Sequence, residues 1–166
     1  LKMRRVVITG MGIISSIGNS LEEVEESLYN SSSGIVFADD YKEMGFRSHV
    51  KGSITVNLQD NIDRRLLRFM GDGAGYAYLS MQQAINDSGL ENKDVSNVKS
   101  GLIVGSGGPS TSNMMKSFDT AREKSPKRVG PYMVPKCMSS TVSANLANSF
   151  EIKGLNFSST SARSPS

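Results

Sequence analysis

Two β-branched runs that each end in glycines constrain the fold more than any other feature of this sequence. They span residues 4–14 (RRVVITGMGII) and residues 101–108 (GLIVGSGG). Runs of this length and composition are typical of strands buried in a sheet, and the glycines indicate a tight turn at the end of each strand. Amphipathic stretches follow both runs, so the alternation predicts an α/β domain with a mainly parallel or mixed sheet and flanking helices.

Four segments have the apolar spacing of helices: residues 20–30, 62–70, 73–88 and 111–124. The first begins with Ser20 and Glu23, which together make a capping box. In the third, apolar residues recur at helical spacing and Gly89 follows, which predicts a core helix with a C-terminal glycine cap. Residues 48–56 alternate between polar and apolar, as a hairpin or an edge strand does.

Length, composition and cysteine content limit the class of protein. A chain of 166 residues suits one domain, and 37% hydrophobic residues suit a soluble globular one. Its apolar runs are too short for a membrane-spanning helix, and its N-terminus lacks the apolar region and cleavage site of a signal peptide. The single cysteine, Cys137, excludes an intramolecular disulfide and fits a reducing cytoplasm.

The basic residues are concentrated in two places, although the net charge of +3 is small. In residues 62–70 the apolar side chains can face inward while Arg64, Arg65 and Arg68 share the outer side, because positions i and i+4 lie on one face of a helix. The second concentration lies in residues 116–128. No aromatic residues alternate with these cations, which favours an acidic partner over a nucleic acid; an ordinary solvated face is the alternative.

Three isolated features are weak signals for chemistry. Gly10 and Gly12 follow the first predicted strand as in a dinucleotide-binding turn, but Ser15 occupies the place of the third glycine, so a turn built for close packing is favoured. Ser106 has no partner histidine in its neighbourhood of the sequence, which favours a tight turn over a nucleophile. His49 is the only histidine, and no nucleophile is associated with it.

The last third of the chain carries a family resemblance. Residues 130–147 (GPYMVPKCMSSTVSANLA) and 154–162 (GLNFSSTSA) resemble the β-ketoacyl-acyl-carrier-protein synthases, most closely the synthase I type of the thiolase-like fold. Further matching motifs occur in the same order upstream: RRVVITGMGIISSIGNS, RSHVKG, IDRRLLRFM and GLIVGSGG. The resemblance implies that residues 1–166 are a partial N-terminal synthase domain, the incomplete first half of a thiolase-like fold, without the second half.

The resemblance also implies a reaction, which elongates fatty acids. In this family a cysteine receives an acyl chain as a thioester, and histidines assist the decarboxylation of malonyl-carrier protein, whose carbanion then attacks the thioester. The family's nucleophile follows a strand ending in Ser-x-Ser-Ala, so the matching position here is Arg163. A guanidinium remains protonated and cannot attack a carbonyl. We therefore expect no intact catalytic set and an inactive chain, since the family's histidines belong to the missing half.

The remaining site residues are implied by the same resemblance. The acyl pocket and dimer channel correspond to Gly107, Cys137, Met138 and Ala162. The surface that docks the acidic acyl carrier protein corresponds to Arg64, Arg65, Arg68, Lys124 and Lys127. Cys137 is expected to be a pocket wall, because neither a base nor an electropositive helix end is evident beside it.

The implied partners are acyl carrier protein and a second copy of the chain in a cytoplasmic homodimer. No cofactor, metal, nucleic acid or membrane is implied. Two other hypotheses stay open. One is a non-catalytic carrier-binding or dimerisation partner of a condensing enzyme. The other is a nucleotide-binding α/β protein, which depends on the glycine turns alone.

Overall fold

The structure, a computed structural model, describes residues 5–160. Its elements, in chain order, are α1 (Leu21–Tyr29), β1 (Ile35–Phe37), α2 (Asp39–Glu43), β2 (Val50–Gly52), α3 (Leu58–Asn61), α4 (Arg64–Leu67), α5 (Asp72–Ser88), α6 (Asn92–Val95), β3 (Leu102–Ser106), α7 (Thr111–Glu123), a 3₁₀ turn (Pro126–Arg128), α8 (Met133–Cys137), α9 (Thr141–Ser149) and β4 (Asn156–Thr160). Among these, no helix has the length and apolar character needed to cross a bilayer.

The predicted α/β class is confirmed, but the strands of the described residues form two separate pairs. Strands β3 and β4 run parallel, from the pair Leu102 and Asn156 to the pair Ser106 and Thr160. Helices α7, α8 and α9 make the connection between them, and α9 packs against both strands. Strands β1 and β2 form an antiparallel pair, so the edge strand predicted within residues 48–56 is present.

Helix α5 is the centre of the core. It buries Ala74, Gly75 and Leu79, and the Leu79 side chain lies in one apolar cluster with Ile62 and Met70. Its small residues allow α9 to approach closely. The helix ends at Gly89, whose left-handed φ of 67° closes the last turn. The predictions of a core helix and of its glycine cap are confirmed.

The buried strand predicted for residues 4–14 is wrong over the described residues. Residues 5–14 have no strand hydrogen bonding, and the Val6 side chain is 92% exposed. A strand exists only beside another strand that pairs with its backbone, and none within residues 5–160 lies beside this segment. Its amides bond to side chains of α5 instead: Met11 N–H donates to Asp87 Oδ2 at 2.9 Å and Ile13 N–H to Gln83 Oε1 at 3.0 Å.

The glycines of this segment lie directly against the backbone of α5. A Cβ atom added to Gly10 would collide with the carbonyl oxygen of Ala84, and one added to Gly12 would collide with that of Ser80. Only glycine allows two backbones to approach so closely. This geometry supports the interpretation of a turn built for close packing over that of a dinucleotide-binding turn.

Strand β3 is present where the sequence predicts it, yet it is only partly buried. Val104 is 9% exposed, whereas the neighbouring Ile103 is 83% exposed. Successive side chains of a strand point to opposite faces. Helix α9 packs against the pair formed by β3 and β4, and nothing within residues 5–160 covers Ile103 on the other face.

Helix α1 begins as predicted, with one difference in its cap. The Ser20 hydroxyl accepts a hydrogen bond from the Glu23 backbone N–H at 3.3 Å, and the Glu23 carboxylate accepts from the Asn19 N–H at 2.7 Å. The glutamate therefore reaches one residue further back than a capping box requires.

Candidate functional site

Helix α8, only five residues long, borders three clefts of the molecule. One cleft is apolar and includes Pro135 of the helix and Met138 directly after it. The other two clefts are basic: one includes Lys136 of the helix, and the other includes Met133. All three clefts therefore open around one short segment of the chain. We therefore describe the candidate site around α8.

The apolar cleft has a volume of about 250 Å³ and lies between α4 and α9. Leu66 and Phe69 line one side, and Ala144 of α9 lines the other. The Asn145 side-chain amide donates to the Phe69 carbonyl oxygen at 3.3 Å and to the Thr141 carbonyl oxygen at 2.8 Å, which joins the two walls. Such a cleft suits a slender apolar ligand, because its walls are mainly hydrocarbon.

The first basic cleft has a volume of about 600 Å³ and is lined by Arg64, Arg68 and Lys136. Asp60 also lines it, and this carboxylate accepts a hydrogen bond from the Asn57 side chain at 2.7 Å. The cleft thus combines cations from α4 and its C-cap with one from α8. Arg65 is exposed on the same helix but is not a lining residue of this cleft.

The second basic cleft has a volume of about 780 Å³ and is lined by Lys116, Lys124 and Arg128. These cations come from α7, from its C-cap and from the 3₁₀ turn. Lys127 is exposed in the same turn without lining the cleft. The side chains therefore approach from two sides of the break at Ser125 and Pro126, which the sequence predicts.

None of the cations that line the two clefts forms an ion pair within residues 5–160. The salt bridges of that part of the chain are Lys51 with Asp40, at 2.9 Å, and Lys93 with Glu91, at 2.6 Å. Clustered cations that outnumber the nearby carboxylates, here Asp60 alone among the lining residues, create a positive potential that attracts acidic groups. The residues that line the two basic clefts thus carry an excess of positive charge.

The structure brings together some of the predicted site residues and not others. Met138 lines the apolar cleft, and Cys137 is half-buried at the end of α8. Gly107 lies in the open turn after β3, where an added Cβ would meet nothing within 4 Å, and it does not line that cleft. Ala162 and Arg163 lie outside the described residues.

Sequence reasoning did not select Lys136, although it completes the first basic cleft. Lys116 and Arg128 were recognised only as part of a basic segment, and both line the second cleft. No local sequence signal marks Lys136, because the five residues of α8 are too few to show a helical period. In the structure its backbone N–H donates to the Tyr132 carbonyl oxygen at 3.3 Å.

The two weak catalytic signals have structural explanations in the described residues. The Ser106 hydroxyl donates to the Gly108 carbonyl oxygen at 3.0 Å, which fits the predicted tight turn. The His49 ring packs edge-on against Phe37 at a centroid distance of 6.0 Å, within the pair of strands β1 and β2.

Comparison with known proteins gives consistent matches over nearly the whole chain. A family model described as "Beta-ketoacyl synthase, N-terminal domain" matches residues 3–166. The 3-oxoacyl-[acyl-carrier-protein] synthase 1 of Haemophilus influenzae is 51% identical over 96% of this chain and 40% of its own length. The protein of the same name from Escherichia coli K12 is 48% identical with the same coverage. The chain thus spans 40% of the length of these relatives.

Solved structures agree in fold. A β-ketoacyl synthase from Burkholderia phymatum matches with a TM-score of 0.77 and 25% identity over 92% of this chain and 38% of that protein. The ishigamide ketosynthase/chain length factor matches with a TM-score of 0.83 and 23% identity over 95% of this chain and 40% of that protein. The predicted thiolase-like fold is confirmed for the part that this chain covers.

Proposed function

Because the chain belongs to the β-ketoacyl synthase family, of which it matches the N-terminal part, we propose that the protein containing it is a synthase of type I. In this proposal, malonyl-carrier protein is decarboxylated and its carbanion condenses with an enzyme-bound acyl thioester in fatty-acid biosynthesis. The acyltransferase function is supported by the relatives named 3-oxoacyl-[acyl-carrier-protein] synthase 1, at 51% and 48% identity.

The observation that carries the proposal is the position of α8 between an apolar cleft and two basic clefts. The proposed substrate has two chemically different parts, an apolar acyl chain and an acidic protein that carries it. Burial in the apolar cleft favours the acyl chain, since each methylene removed from water is stabilising. The basic clefts favour the acidic protein through charge complementarity.

We assign the roles of individual residues on this basis. Arg64 and Arg65 of α4 and Arg68 at its C-cap are proposed to dock the carrier protein together with two lysines, Lys124 and Lys127. Met138 is proposed as a wall of the acyl pocket; Gly107, Cys137 and Ala162 remain proposed members of the same channel. The Cys137 thiol forms no hydrogen bond to a base within residues 5–160, which supports a wall over a nucleophile.

Arg163 occupies the family's nucleophile position and leads to the second part of the proposal. Since an arginine cannot form the acyl thioester, we propose that a chain with Arg163 does not itself catalyse the condensation. The same residue favours a second candidate function, a non-catalytic carrier-binding or dimerisation partner of a condensing enzyme. Homodimerisation and a cytoplasmic location belong to the proposal as well, the latter supported by the single cysteine.

The test is a titration with acyl carrier protein at low ionic strength. Reversal of two cations by Arg64→Glu and Arg68→Glu should weaken binding about tenfold, because the attraction between opposite charges becomes repulsion. The effect should shrink as salt is added. Arg47→Glu is the matched control, because Arg47 is equally exposed but lines neither basic cleft.

Unchanged affinity of the double variant would remove the docking assignment. Mass spectrometry of the same mixtures, with acyl- and malonyl-carrier protein present, tests the inactivity proposed for a chain with Arg163. A 3-oxoacyl product would contradict that proposal, whereas binding without product or acyl adduct is expected both for an inactive synthase chain and for a non-catalytic partner.

A further inference from the structure

Among the cations that line the basic clefts, Arg68 is the one with a cation–π contact to an aromatic ring of residues 5–160. Its guanidinium carbon lies 5.6 Å from the centroid of the Tyr132 ring, within the range of a cation–π interaction. Its Nη1 atom also donates a long hydrogen bond, of 3.4 Å, to the Tyr132 hydroxyl oxygen. Two contacts from one side chain thus restrict where the guanidinium can lie.

Tyr132 is itself held in place by its neighbours. Its ring packs edge-on against Phe69, with the centroids 5.1 Å apart and an angle of 87° between the planes. The residue immediately precedes α8, and its carbonyl oxygen accepts from the backbone N–H of Lys136. Tyr132 therefore connects the end of α4 with the short helix that borders both basic clefts.

We propose that Tyr132 is a positioning residue that holds Arg68 toward the acidic carrier protein; this inference rests on the proposed function. A long exposed side chain loses rotamer freedom when a partner binds it. A guanidinium already restricted by Tyr132 loses less, so binding is tighter than for a freely rotating arginine. Tyr132 need not touch the partner, because it acts through Arg68.

An aromatic side chain suits this role better than an acidic one. A carboxylate ion-paired with Arg68 would neutralise the charge that an acidic partner needs, and Asp60, which lines the same cleft, forms no ion pair with Arg68. An aromatic face restricts the guanidinium and leaves its net charge in place. Replacement of Tyr132 by phenylalanine should retain the ring contacts with both Arg68 and Phe69 and remove only the long hydrogen bond.

The experiment is a titration of labelled holo-acyl carrier protein into the protein that contains this chain. Tyr132→Ala should bind about two- to five-fold more weakly than the wild type, as expected for loss of an exposed cation–π contact. Tyr132→Phe should restore most of the affinity. The double variant Arg68→Ala/Tyr132→Ala should bind like Arg68→Ala alone, because the tyrosine acts through the arginine. Tyr29→Ala is the control, since Tyr29 is exposed on α1 beside a different surface.

A second measurement follows Arg68 directly. The ¹⁵N relaxation of its side-chain Nε–H group should show greater mobility in Tyr132→Ala than in the wild type or Tyr132→Phe, with no partner added. Unchanged mobility of the Arg68 side chain in Tyr132→Ala overturns the inference. A double variant whose loss of affinity equals the product of the two single-variant losses overturns it as well. If the wild-type protein does not bind the carrier protein, the proposed function and the inference both fail. If it binds but Tyr132→Ala binds equally well, only the inference fails.

Discussion

Helix α5 and strand β3 are both rich in apolar residues, but their surroundings within residues 5–160 differ. Leu79 of the helix is 8% exposed and lies in the main apolar cluster, whereas Ile103 of the strand is 83% exposed. The helix satisfies its backbone hydrogen bonds internally and needs only side-chain neighbours, which α9 and the segment 62–70 supply. A strand needs neighbours both for its backbone and for its two faces. Within residues 5–160, α5 therefore has the neighbours that it needs, whereas one face of β3 does not.

The largest expected difference between these two regions is in the effect of truncating one side chain in each. Leu79→Ala should lower the free energy of unfolding by about 2–5 kcal/mol, because it leaves a cavity in the core. Ile103→Ala should change it by no more than about 0.5 kcal/mol, as expected for an exposed position. Urea unfolding of the protein that contains this chain measures both. A cost for Ile103→Ala as large as that for Leu79→Ala would show that this face of β3 is covered there.

The second prediction concerns the segment that lies on α5 without forming a strand. Gly12→Ala should lower the free energy of unfolding by about 1–3 kcal/mol, because the new methyl group meets the Ser80 carbonyl oxygen and the two backbones must separate. The control is Gly73→Ala in the first turn of α5, where an added Cβ meets nothing within 4 Å. That change should stabilise by about 0.4–1 kcal/mol through the unfolded chain. Equal effects of the two substitutions would contradict the close approach.

Helix α5 and the segment 5–14 that lies on it show what could be predicted from the sequence. Helix α5 was predictable because its signals are local: apolar spacing within the helix and Gly89 directly after it. Residues 5–14 have equally clear strand composition, yet strand formation depends on a partner strand, whose position in the chain local composition does not show. Composition cannot show whether that partner is present, so the prediction was wrong there. The glycines of the same segment were correctly interpreted as packing residues.

The candidate site shows the same distinction between local and long-range information. Helical spacing in residues 62–70 predicts outward arginines and an inward Met70, and in the structure the arginines are exposed and Met70 is buried. The predicted helix is shorter, however: α4 spans only Arg64–Leu67, so Met70 lies beyond its end. Helix α8 has five residues and includes Pro135, so it offers too little periodicity to be recognised. Its place between three clefts depends on the packing of α4, α7 and α9, which no local pattern encodes. Lys136 was missed for that reason.

The smallest expected effect lies in an exposed region, the β1–β2 pair with α2. The Lys51 ammonium donates to both Asp40 carboxylate oxygens, at 3.0 and 2.9 Å, and this hydrogen bonding holds the pKa of Asp40 below its ordinary value of 3.8. The same pair raises the pKa of Lys51 above 10.5. A carboxyl group with a lowered pKa in the folded state stabilises the fold above its unfolded pKa. That contribution is lost as the pH falls from 3.8 through the folded-state value.

Asp40→Asn should therefore destabilise the protein slightly at pH 7, and the difference from wild type should close as the pH falls below 3.8. It should also shrink in high salt, because both groups are exposed. Asp39→Asn is the matched control: Asp39 shares the first turn of α2, and thus the same helix dipole, but forms no ion pair with Lys51. Thermal unfolding across the pH range measures both variants. A difference between wild type and Asp40→Asn that persists in acid would show that packing, and not the ion pair, holds α2 against the strands.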